Sequence, residues 1–245
     1  MILPNVRASF GRHEANLVLG LLSRGDTEAR EREEARLREA GFDALLDDPR
    51  TFNAVLSHRD IQAAPAPLVF YLLVRHTLLE NGIHDRVIAD YLAALLLNFS
   101  RQDRAYKIED DAPESFYYLV DIVEAIESAR GRRAFLLLAH LGEFALWLSG
   151  LFPDYITARV ERRGAPGIDY YEELGAAGYR AAADYLEAKR YGLSEVYGAC
   201  AERFPALRIA LNHVADRYLF PAVGDPIPRL LRQVADQFRL RVQQN

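Results

Sequence analysis

Cysteine is almost missing from this chain: Cys200 is the only one in 245 residues. An intrachain disulfide and a multi-cysteine zinc site are therefore excluded, and a reducing cytoplasm is the expected setting. Lysine is nearly as scarce, with Lys107 and Lys189 the only two among 30 basic residues, so arginine carries the positive charge. No stretch keeps up an alternation of apolar and polar residues with β-branched enrichment, so no sheet is expected. An overall basic field is lacking too. The formal net charge is −5 with both signs interspersed, which disfavours non-specific nucleic-acid binding. Residues Met1 to Asn5 show no basic segment followed by an apolar run, so no secretory leader is expected. Phosphate-binding glycine loops, a His-Glu-x-x-His zinc pair and a Gly-x-Ser-x-Gly elbow are all absent from the sequence, and the chemistries that depend on them go with them.

What is present is helical periodicity almost throughout. Half of the residues are hydrophobic and 27% are charged, an ordinary globular balance. The spacing predicts helices over 9–23, 27–40, 68–80, 86–99, 113–129, 132–151, 169–190, 194–204 and 205–219, short helical pieces around Pro49, a helix opened by Pro153, and a final amphipathic helix from Pro228. Gly41 and Asn81-Gly82 read as stops, and Asp85 as a cap. The expected fold is all-α, a multi-helix bundle or short helical array of about ten to twelve helices without a sheet. One domain over 1–245 is expected, with room for two sub-bundles, 1–100 and 113–245, joined by the polar stretch 100–112. The window from Ala134 to Phe152 is long enough to span a bilayer, but His140 and Glu143 lie inside it, and a buried helix of a bundle is the reading adopted, without a membrane.

His140 and Glu143 are the strongest anomaly. Three residues apart on a helix, they share a face in the most apolar segment of the chain, and a buried carboxylate must find a partner or take up a proton. They are candidate metal ligands or an acid–base pair; the structural alternative has Glu143 meeting an arginine and His140 a backbone carbonyl. His76 and Glu80, four apart on another apolar helix, are a second candidate pair for a divalent metal. Neither follows the Glu-x-x-His order of carboxylate-bridged metal bundles. Asp43, Asp47 and Asp48 form an acidic cluster for which capping and surface roles are the commoner use. An arginine followed by a histidine after four to six residues, as in one all-helical ribonuclease fold, occurs at Arg7 to His13, Arg133 to His140 and Arg208 to His213, about as often as composition alone produces.

Tyr171, Leu174, Gly175 and Tyr179 resemble the first helix of a tetratricopeptide repeat over about ten residues. No turn follows and no second copy stands one repeat length away, so no repeat array is expected. Thirteen tyrosines, many in the second half, suggest an amphipathic surface or groove, since tyrosine and arginine are enriched at interface anchors. Arg159, Arg162, Arg163, Tyr170 and Tyr171 are the candidate interaction residues. The expected function is thus that of a cytoplasmic helical protein acting through a protein partner or self-association, with no cofactor and no catalysis of its own. The alternatives are a metal-binding or acid–base enzyme centred on His140 and Glu143, and a nucleic-acid-binding protein using the arginines near Arg159.

Overall fold

The computed structural model describes residues 1–57, 64–101 and 103–221, together with Arg229, Arg232, Gln233 and Asp236. The described residues form twelve α-helices and no strand, an all-α architecture. The helix expected from Pro228 lies outside the described residues except for those single positions. The chain divides into two compact units, 2–100 and 101–245.

The first unit carries α1 (Arg12–Ser23), α2 (Thr27–Leu46), α3 (Pro49–Ser57), α4 (Ala66–Glu80) and α5 (Arg86–Phe99). Asp26 caps α2 by accepting from the Ala29 amide at 2.9 Å, and Asp85 caps α5 by accepting from Val87 and Ile88, each satisfying amides that have no partner within the first turn. Gly41 has a φ of 78°, so the expected stop is a kink from which the helix resumes to Leu46. The 9–23 helix is shorter than expected: a 3₁₀ turn occupies Arg7–Ser9 and α1 starts at Arg12. Apolar residues cover most sides of α4 and α5, which bury Leu68, Leu72, Leu92 and Leu95 completely and pack on each other.

The second unit contains α6 (Leu119–Ser128), α7 (Gly131–Leu151), α8 (Pro153–Arg163), α9 (Ile168–Ala183), α10 (Leu186–Arg190), α11 (Ser194–Glu202) and α12 (Phe204–Val214). Helix α7 is its axis. It is long and apolar enough to cross a membrane, and 83% of its most apolar window is buried inside the fold. It packs against α9 with the backbones in close approach. A Cβ on Gly178 would stand 2.8 Å from the Leu138 carbonyl oxygen, and one on Gly142 would stand 2.6 Å from the Tyr179 ring. Only glycine leaves that space.

Two helices depart from expectation. The segment 113–118 is not helical, because Phe116 donates its amide to the Tyr106 carbonyl at 2.7 Å and Tyr118 is extended, so α6 begins at Leu119. The single helix expected over 169–190 breaks after Ala183, whose carbonyl accepts from the Ser194 hydroxyl at 2.9 Å, and Tyr185 turns extended to start α10. A polar network closes the unit's interior. Arg208, fully buried, donates to Glu172 at 2.8 Å and to both oxygens of Asp236 at 2.8 Å. Asn212 accepts from it and donates to the carbonyls of Ser149 and Gly150.

Candidate functional site

A groove of about 770 Å³ opens in the second unit. Its floor comes from α7, where Phe144, Trp147 and Leu148 fall three and four residues apart and so share one helix face. Phe152, at the α7–α8 junction, extends it, with ring centroids 5.7 Å apart between Phe144 and Trp147 and 5.1 Å between Trp147 and Phe152. Tyr106 and Tyr117 pack together at 4.8 Å on one side. Tyr170 and Tyr171, in the first turn of α9, approach edge to face at 5.9 Å on the other.

Among the described lining residues Arg159 is the only charged one, and none is a carboxylate. It lies one turn after Tyr155 on α8, and its Cζ sits 5.6 Å from the Tyr155 ring centroid and 5.2 Å from that of Tyr118. The cation thus lies over two electron-rich rings. Eight other arginines among the described residues are buried or half-buried, namely Arg7, Arg30, Arg36, Arg75, Arg104, Arg208, Arg229 and Arg232, and each has a carboxylate within ion-pair distance. Arg159 has none among the described residues, and its buried Nε has no hydrogen-bond partner there. Burial pushes the Tyr171 phenol up, and the charge of Arg159 offsets only part of that shift, so the hydroxyl stays protonated at neutral pH and can donate.

Of the residues marked out by sequence, Arg159, Tyr170 and Tyr171 meet in this groove. Arg162 and Arg163 occupy the exposed last turn of α8, where cations complement the helix dipole, and they do not line it. His140 and Glu143 do not line it either. They are 1% and 2% exposed, with His140 Nδ1 and Glu143 Oε2 4.0 Å apart. Burial, reinforced by the charge of Arg104, lowers the His140 pKa to about 3, so the ring is neutral and packs behind the groove floor, its centroid 6.0 Å from that of Phe144. Burial raises the phenol of Tyr197, and the charge of Glu143 raises it further.

His76 and Glu80 belong to the first unit. His76 donates from Nε2 to the Leu46 carbonyl at 2.8 Å and stacks on Phe52 at 4.5 Å, while Glu80 is exposed at the end of α4. No group of three or more His, Cys, Asp or Glu side chains able to hold a metal ion occurs among the described residues. The acidic cluster is taken up by arginines: Asp43 by Arg7, Asp47 by Arg75 and Arg86, and Asp48 by Arg36 and Arg50. Arg208, the arginine of one Arg-to-His spacing, is likewise held by two carboxylates.

Sequence reading missed Trp147, Phe144 and Tyr155. The one available signal was the four-residue step from Tyr155 to Arg159, which stacks ring and cation on one helix face. No protein-family model, curated protein or solved structure matches the chain.

Proposed function

We propose that the protein acts by binding, and that the aromatic groove of the second unit receives a small molecule with an apolar body. The observation that carries this reading is the concentration of Phe144, Trp147, Phe152 and Tyr171 around a single cavity of about 770 Å³, a size and lining typical of small-ligand sites. Catalysis by His140 and Glu143 is not part of the reading, since both are enclosed behind the groove floor and a substrate in the groove has no path to them.

Trp147 is the sole tryptophan of the chain and lines the groove, so it is a built-in reporter. Titration with the uncharged fluorophore phenylnaphthylamine is expected to change Trp147 emission saturably, and Val120→Glu with Tyr155→Asp at the rim to weaken the effect at least about tenfold, the scale of a charge placed against buried apolar contacts. Absence of a saturable change, or one indifferent to both substitutions, would overturn the reading.

A second reading, the protein partner or second copy anticipated from composition, is favoured by the rim, where Tyr117, Tyr118, Val120 and Tyr155 are 48–57% exposed. It predicts a mass in sedimentation that rises with protein concentration and drops to the monomer in Val120→Glu. A monomer at every concentration removes self-association.

A further inference from the structure

We propose that the groove is specific for an acid, a small molecule with a flat or linear apolar body and a single carboxylate that pairs with Arg159. This rests on the groove being the binding surface and adds the chemical class of its occupant.

The argument starts from charge. A guanidinium drawn into a protein is normally matched by a carboxylate, and the eight other half-hidden arginines among the described residues obey that rule. Arg159 instead lies over the rings of Tyr118 and Tyr155, which stabilise a cation through their faces, and its Nε–H meets no acceptor among the described residues. A planar fork of donors fits a carboxylate best. Among the described residues the lining has no second cation to match a dianion, since Arg162 and Arg163 lie outside it. Nor do the described lining residues include an aspartate or glutamate to repel a monoanion. Phe144, Leu148, Phe152 and the ring face of Trp147 offer carbon to an apolar body, while the lining's tyrosine hydroxyls, that of Tyr171 among them, add neutral hydrogen-bonding groups. A carboxylate at one end and an aryl or alkyl body at the other is the ligand that leaves neither end unmatched.

The test compares naphthylacetate with naphthylacetamide, which share shape and apolar body and differ in charge, followed by Trp147 fluorescence. In the wild type the acid is expected to bind about tenfold or more tightly, the range of a charge-assisted hydrogen bond in a partly dry site. Arg159→Met is expected to weaken the acid more than the amide and so to remove the difference between them, and Arg159→Lys to restore part of it. Circular dichroism of each variant checks that the helices persist. Equal binding of acid and amide in the wild type overturns the specificity and leaves the groove reading standing, whereas failure of both probes, along with phenylnaphthylamine, overturns both. A blocked tripeptide with aspartate between leucine and phenylalanine tests the other source of the same chemistry. If it shows the charge preference and naphthylacetate does not, the free-acid assignment falls.

Discussion

Arg75 in the first unit and Arg159 in the second are both carried by helices and both drawn out of full solvent exposure, yet their surroundings are opposite. Arg75, 3% exposed, grips Asp47 through Nε at 2.6 Å and Nη2 at 2.9 Å, and donates from Nη1 to the His84 carbonyl at 2.9 Å. Arg159 is held by two tyrosine faces and meets no carboxylate among the described residues. The first arrangement is closed, since every strong partner is supplied from within its unit, and it ties α4 to the end of α2. The second holds the cation in place without neutralising it. Aromatic faces contribute only about 0.5–2 kcal/mol, enough to orient a guanidinium but not to satisfy its donors. Closed arginines act as architecture, and an open one facing a cavity acts as a receptor.

The largest expected effect separates the two directly. Arg75→Met leaves the half-buried Asp47 with only the exposed Arg86, and is expected to destabilise the first unit by about 3 kcal/mol, the cost of orphaning one side of a buried pair, measured by urea denaturation. A loss under about 1 kcal/mol would erase the contrast with Arg159. Next comes the scaffold under the groove. Gly178→Ala places a methyl 2.8 Å from the Leu138 carbonyl, and overpacking of that kind costs about 1–3 kcal/mol, expected as a lowered thermal midpoint of the second unit.

Acid acts on both units, through Asp48 in the first and His140 in the second. Burial raises the Asp48 carboxyl, but hydrogen bonds from Arg50 and Arg36 outweigh it and bring the pKa from 3.8 to about 2. A depressed folded pKa means stability that is whole above 3.8 and lost as pH falls from there to about 2, roughly 1–2 kcal/mol after discounting for solvent. His140, brought from 6.5 to about 3, works in the same direction from higher pH: protonation favours the unfolded chain, so stability declines as pH drops below about 6.5. Urea midpoints measured from pH 7 to 2 should fall for the second unit from about pH 6.5 downward, a decline that His140→Phe reduces, and for the first unit most steeply below about 3.8. The smallest effect is expected at Arg159, where Arg159→Met should shift stability by less than about 1 kcal/mol because only cation–π contacts are lost.

The helices were legible because apolar periodicity, caps and glycine stops agree along the chain. The misjudged boundaries are those decided by distant partners, the Tyr106 carbonyl holding Phe116 and the Ser194 hydroxyl taking the Ala183 carbonyl. The groove was half legible. Residue type marked out Arg159, Tyr170 and Tyr171, but Trp147 and Phe144 sit on a helix that is apolar on nearly every side, where periodicity is silent about which face meets a cavity. The eye-catching pair, His140 and Glu143, stands behind the groove floor. An ionisable residue in an apolar helix signals a special environment, and chain pattern does not distinguish a site from the packing behind it.

The account depends most on Arg159 meeting the ligand's charge. With arginine side chains labelled with nitrogen-15, naphthylacetate is expected to move the Nε–Hε resonance of Arg159 saturably, with the same midpoint as the Trp147 fluorescence change, while that of Arg75 stays still. Quenching of Trp147 by the acid with the Arg159 resonance unmoved would contradict it.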